Sequence, residues 1–136
     1  SDVKIDVLKY SSSGGVEYFI SATDNFESIS NRFNGYLYGF CRLRLVKCHE
    51  KEQLDTLRGS ALIRELHVYG AVTVVGSACK SSIQHNGIGK KLLSVAESIS
   101  RSKGFSKITV ISGVGVRAYY MKNGYTLEKT FMCKKI

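Results

Sequence analysis

No stretch of this 136-residue chain approaches the apolar length that a helix needs to cross a membrane, and the polar N-terminus has no apolar signal-peptide core. A membrane role is therefore not expected. Cysteine is sparse: Cys41, Cys48, Cys79 and Cys133 are scattered without metal-site spacing. The otherwise ordinary composition argues against a disulfide framework, so reduced thiols and an intracellular setting, cytoplasmic or also nuclear, are expected. No His/Cys/Asp cluster has the spacing of a zinc or iron site. Internal repeats, linkers and domain boundaries are missing too, and residues 1–136 are expected to form one domain. Proline is absent altogether, for which we have no physical account.

What is present is ordinary in bulk and uneven in charge. An apolar fraction of 43% with 23% charged residues suits a soluble globular protein. The formal charge of +9 is concentrated late in the chain. Residues 1–30 carry two lysines and five acids, −3 in all, whereas residues 31–136 carry 18 Lys and Arg against six acids, +12. Such a surface favours a polyanion, either nucleic acid or a phosphate-rich cofactor, or else serves as a solvated face; charge leaves both open.

Hydrophobic periodicity orders the elements. Val3 to Lys9 and Val16 to Ala22 alternate like strands around a turn at Ser11 to Gly15. Gly35 to Val46 reads as a long strand with Leu37, Cys41, Leu43 and Leu45 on one face and Arg42 and Arg44 on the other. His49 to Arg58 reads as a connection. Ala61 to Val75 reads as a strand broken near Gly70, and Gly76 to Ile83 as a mobile loop. From Gly87 the period turns helical: Ile88, Leu92, Val95, Ala96 and Ile99 form one stripe, opposite Lys90, Lys91, Ser94, Glu97, Ser98 and Arg101. Gly104 stops that helix. Lys107 to Ser112 is a strand, Val116 to Asn123 a short helix ending at Gly124, and Tyr125 to Ile136 one or two closing strands. The expected class is a mixed α/β domain with a glycine loop at the end of a central strand, where such sheets bind ligands.

That loop, Gln84-His85-Asn86-Gly87-Ile88-Gly89, opens directly onto the helix. A glycine-rich turn at a helix start presents unpaired amides at the positive end of the helix dipole, a seat for a pyrophosphate. Taken with Arg64-Glu65-Leu66-His67-Val68-Tyr69-Gly70 before it and Arg117-Ala118-Tyr119-Tyr120-Met121-Lys122-Asn123-Gly124-Tyr125 after it, the pattern resembles the GNAT family of acetyl-CoA-dependent N-acetyltransferases. With Val110-Ile111-Ser112-Gly113-Val114-Gly115 and the paired tyrosines, it further resembles the acetyltransferase domains of the Elongator catalytic-subunit family, closely from about Gly35 onward.

The resemblance implies a GNAT fold and acetyl-CoA as co-substrate. Leu66, His67 and Val68 would pair through their backbone with the pantetheine arm; Gln84, Gly87, Ile88, Gly89, Lys90 and Lys91 would hold the pyrophosphate. Tyr120, four residues before Gly124, falls where the family keeps the tyrosine that meets the departing thiolate, with Tyr119 beside it. A neutral phenol can donate a proton to sulfur at neutral pH; the plainer role for both tyrosines is packing. Glu65 is the candidate base toward an attacking amine or water, unless Arg64 and Glu65 form only a structural ion pair. His67 lies on the same strand face as Glu65 and is a second candidate, although a structural histidine is the commoner outcome. His49 and His85 are expected to face solvent or the cofactor loop.

Two departures from the family pattern carry information. Only about five residues join the first two strands, where the family usually places two helices, so the acceptor side should be open and suited to a macromolecule. The Elongator-type subunit also carries a radical S-adenosylmethionine domain with a three-cysteine iron–sulfur site, which this chain does not supply, so an excised domain or one working with a partner is implied. The first reading is an acetyl-CoA-binding domain serving tRNA wobble-uridine modification beside that radical domain and other Elongator-type subunits. The alternatives are a protein lysine acetyltransferase and a non-catalytic module that binds acetyl-CoA or RNA.

Overall fold

The computed structural model describes residues 3–24, 37–46, 59–69 and 87–136. The strands are β1 (Val3–Ser12), β2 (Gly15–Asp24), β3 (Leu37–Leu45), β4 (Ala61–Val68), β5 (Lys107–Val110), β6 (Thr126–Glu128) and β7 (Phe131–Lys135). Among the described residues two helices accompany them, α1 (Ile88–Ser102) and α2 (Arg117–Lys122), the second preceded by a 3-10 turn at Val114–Val116. The strands form one seven-stranded sheet in the order β1-β2-β3-β4-β5-β7-β6. Every neighbouring pair is antiparallel except β4 with β5 at the centre. The mixed α/β class expected from the sequence is the one observed. Gln84, His85, His49, Gly70 to Val75 and the loop at Gly76 to Ile83 lie outside the described residues.

The first hairpin is tighter than its sequence suggests. Ser12 pairs with Gly15, leaving only Ser13 and Gly14 as the turn, in place of the five residues expected. Their φ angles, 45° and 79°, supply the positive-φ twist that a two-residue hairpin requires. No helix can fit into such a connection.

The core lies between the sheet and α1. Cys41, Leu43 and Leu45 of β3, Ala61 and Ile63 of β4, and Ile108 and Val110 of β5 are buried together with Ile88, Leu92, Leu93 and Ala96 of α1. Each fully buried aliphatic side chain contributes about 1.5–3 kcal/mol relative to exposure, and this face fixes α1 over the central strands. Gly39 permits the close packing, since a Cβ there would stand 2.7 Å from the His67 carbonyl and 3.3 Å from Leu92 Cδ1. Two helical assignments and one strand assignment differ from the periodicity. Glu97, placed on the solvent face by the helical wheel, is buried, and Leu93, left off the apolar stripe, is in the core. Leu37 is exposed and Tyr38 buried, because the β2–β3 register shifts between Ala22 and Thr23. Gly104 ends α1 as expected, with φ +91° and its amide bonded to the Arg101 carbonyl.

Candidate active site

The site begins with a bend in β4. Arg42 pairs with Glu65 and Leu43 with Ile63, so Arg64 is an extra residue without a partner on β3. A bulge bends its strand, and here β4 leaves β5 at the same place. Ala61, Leu62 and Ile63 pair with Ile108, Thr109 and Val110, the Ile111 amide makes a last bond to the Ile63 carbonyl, and the two strands then part. From Arg64 to Val68 the β5-side edge of β4 has no strand partner among the described residues. Leu66, His67 and Val68 lie on that free edge, where an extended ligand can add main-chain hydrogen bonds.

The start of α1 faces this cleft. Gly87 is its N-cap with φ +90°, a conformation that favours glycine, and among the described residues no side chain caps the helix. The first helical bond runs from the Lys91 amide to the Gly87 carbonyl, so the amides before it lack a helical partner. No acid stands in the first turn, and Lys90 and Lys91 are exposed beside it. Ile88 sends its side chain into the core, so only its backbone is available to a ligand. Gly89 is the point where three elements meet. A Cβ there would collide with Tyr119 Oη of α2 and approach Val68 Cγ2 of β4 to 3.2 Å.

Tyr120 is buried on the α1 side of the sheet, its ring edge-on to Tyr119 at 5.4 Å and to Tyr125 at 5.7 Å. Burial, with smaller contributions from Cys41 and Tyr119, pushes its phenol up to about 12. It therefore stays protonated at neutral pH and can act as a donor. Tyr119 is more exposed and is raised by burial in the same direction. Behind Tyr120, Tyr125 donates a hydrogen bond of 2.8 Å to Glu97, and Lys134 Nζ donates to Glu97 at 3.0 Å.

Glu65 lies on the opposite face. Its carboxylate pairs with Arg42 at 3.3 Å and its side chain is 41% exposed. The ion pair considered between Arg64 and Glu65 is not the one formed: Arg64 reaches across to Glu17 at 3.1 Å, and the bulge lets both neighbours serve the same face. Glu17 is almost fully buried beneath Arg42, Arg44 and Arg64 and accepts a 2.7 Å bond from Tyr10. His67 stacks on Phe40 at 5.1 Å, and Phe40 on Phe19 at the same separation. The structure thus brings Val68, Gly89, Tyr119 and Tyr120 together around one cleft, and sets Glu65 and His67 on the other side of β4. Gln84 lies outside the described residues. Among the described residues no group of His, Cys, Asp and Glu could hold a metal ion. A surface cavity of about 350 Å³ lined by Lys9, Tyr18, Lys103 and Phe105 sits at the far end of α1 and is not part of this site.

Sequence reading missed Arg42, Glu97, Tyr125 and Lys134 as parts of the site's surroundings. The spacing Gly89–Leu93–Ala96–Ser100, all buried, was the available signal that a second stripe of α1 faces inward and carries Glu97 with it.

A parallel central pair that parts at a bulge, beside an uncapped helix start, is the arrangement expected of an acetyl-CoA cleft. The acetyltransferase (GNAT) family model matches residues 16–125. The chain belongs to the GNAT acetyltransferase family. Family members use acetyl-CoA, and the amides of α1 and the free edge of β4 fit its pyrophosphate and pantetheine. The chain is 41% identical over 132 residues to the tRNA uridine(34) acetyltransferase of Dehalococcoides mccartyi, covering 95% of this chain and 27% of that protein. It is 43% identical over 129 residues to Elongator complex protein 3 of Danio rerio, covering 93% of this chain and 22% of the relative. Among solved structures, the archaeal Methanocaldococcus infernus Elp3 with an N-terminal deletion superposes with a TM-score of 0.69 at 36% identity, covering 98% of this chain and 30% of that one. The GNAT domain therefore spans about a quarter of the length of these relatives.

Proposed function

We propose that this GNAT domain binds acetyl-CoA in the cleft between β4 and β5 and, within an Elongator-type protein, supplies the acetyl unit for tRNA wobble-uridine modification. The observation that carries the reading is the divergence of β4 from β5 at the Arg64 bulge, directly beside the uncapped start of α1. The amides from Gly87 to Lys90, with the Lys90 and Lys91 side chains, take the pyrophosphate, and the free edge at Leu66, His67 and Val68 takes the pantetheine. As the acceptor bonds to the acetyl carbonyl carbon and gives up its own proton to Glu65 or water, the carbon–sulfur bond breaks, Tyr120 Oη donates its proton to the departing thiolate, and solvent returns a proton to Tyr120. Glu65, ion-paired to Arg42 on the open side, meets the acceptor. The names of the relatives and the basic charge of residues 31–136 support tRNA as that partner. A radical S-adenosylmethionine domain and other Elongator-type subunits complete the proposed assembly, in a cytoplasmic and also nuclear setting.

The test is release of CoA from acetyl-CoA by the intact protein with tRNA, with a lysine peptide, and with neither. Stimulation by tRNA alone is expected. Acetylation of the peptide would replace this reading with a protein lysine acetyltransferase, and tight binding without release under every condition would replace it with a non-catalytic module.

A further inference from the structure

Behind Tyr120 stands a buried polar group that the proposed chemistry does not use. Glu97, on α1, is only 8% exposed, the one ionisable residue on the buried face of that helix. Both carboxylate oxygens are engaged: Tyr125 Oη donates to one at 2.8 Å and Lys134 Nζ to the other at 3.0 Å. Lys134 donates as well to the Asn123 carbonyl at 3.1 Å, at the end of α2, and lies 5.5 Å from the Tyr125 ring centre. The cluster thus ties together α1, the C-terminal end of α2 and β7.

Its link to the reacting side is Tyr125. The Tyr125 amide donates to the Tyr120 carbonyl at 3.0 Å, and its ring meets that of Tyr120 edge to face at 5.7 Å. Tyr119 covers the other side of Tyr120 at 5.4 Å. A buried phenol needs an acceptor in any case, and here the acceptor is itself fixed by Lys134. Burying a carboxylate is costly unless it is fully paired, and here the pairing fixes one of the two rings that flank Tyr120.

Resting on the reading of Tyr120 as the thiolate's proton donor, we propose that Glu97, Lys134 and Tyr125 are positioning residues that aim the Tyr120 hydroxyl into the cleft. They touch neither acetyl-CoA nor the acceptor. Glu97 and Lys134 hold the Tyr125 hydroxyl, and the anchored Tyr125 ring sets the angle of Tyr120. A small displacement of a reacting group is expensive in rate, up to about a hundredfold for 1 Å. The network should therefore act on turnover and leave cofactor binding alone.

The experiment is a double-mutant cycle on the intact protein, reading CoA release and, separately, acetyl-CoA binding by calorimetry. Tyr125→Phe should lower kcat about tenfold with an unchanged Kd, because the ring remains but its tether is gone. In a Tyr120→Phe background the same change should have no further effect. Glu97→Met/Lys134→Met/Tyr125→Phe replaces the whole network by apolar groups of similar size, which tends to preserve folding; it should match the loss of Tyr125→Phe alone. Equal, additive losses in both backgrounds, or a raised Kd with unchanged kcat, would overturn the positioning role. Wild-type turnover in Tyr120→Phe would instead remove the proton-donor reading beneath it.

Discussion

Tyr119 Oη rests against Gly89, in the space that any side chain at that position would need. The contact joins α2 to the first turn of α1 across the proposed cofactor cleft, with Val68 as the third member. Gly89→Ala should therefore turn the Tyr119 ring outward, since the colliding atom is the end of a partly exposed side chain. The helix itself gains from the exchange, by up to about 1 kcal/mol, so the melting temperature should hold. A methyl group over the pyrophosphate seat should weaken acetyl-CoA binding by about tenfold, or 1.4 kcal/mol. Calorimetry and a thermal melt on the same sample check both halves.

Tyr120→Phe removes the donor while keeping the ring that packs between Tyr119 and Tyr125. Turnover should fall by about a hundredfold with cofactor binding intact. Because burial holds the phenol near 12, the wild-type rate should show no alkaline decline at the ordinary tyrosine value of 10. A falling limb centred at 10 that persists in Tyr120→Phe would assign proton donation to some other group. Steady-state rates from pH 7 to about 11 decide it.

Glu17 offers a pH test of the open face. Its carboxyl is held below the ordinary 4.5, first by the Tyr10 hydrogen bond and further by Arg64, Arg42 and Arg44, against an opposing effect of burial. A depressed folded-state value contributes stability that is complete above the unfolded value and lost as pH falls through the folded one. The urea midpoint should accordingly drop as pH is lowered from about 5 toward 3. Glu17→Gln should be less stable at pH 7 and show a shallower acid dependence.

Gly39→Ala probes how closely α1 packs on the sheet. The added methyl would meet the His67 carbonyl at 2.7 Å and the Val68 Cα at 3.3 Å, both backbone atoms that cannot step aside. Overpacking of this kind should destabilise by about 1–3 kcal/mol, read as a lowered urea midpoint with an unchanged slope. A neutral result would mean that β3 and β4 are looser at this point than their register implies.

Much of this was legible in the sequence because single elements carry strong local signals. The 3.6-residue stripe from Ile88 to Ile99, the stop at Gly104 and the short helix before Gly124 each follow from short-range chemistry, and each appears where expected. Alternation also placed Arg42 and Arg44 opposite Cys41 and Leu43. What escaped depends on contacts between distant segments. Glu97 reads as a solvated charge until Tyr125 and Lys134, 28 and 37 residues away in sequence, come to meet it. Arg64 and Glu65 look like one ion pair because they are neighbours, and only the bulge and the register with β3 give them separate partners. The tight turn at Ser13-Gly14 was hidden by a run of serines that suits either turn or strand.

Amide hydrogen exchange with and without acetyl-CoA tests the central claim most directly, because the proposed grip is made by main-chain groups. Slowed exchange at Ile88 to Lys90 and along Leu66 to Val68, with β1 and β2 unchanged, is the predicted result. Protection confined to other segments, or none at saturating acetyl-CoA, would contradict the account.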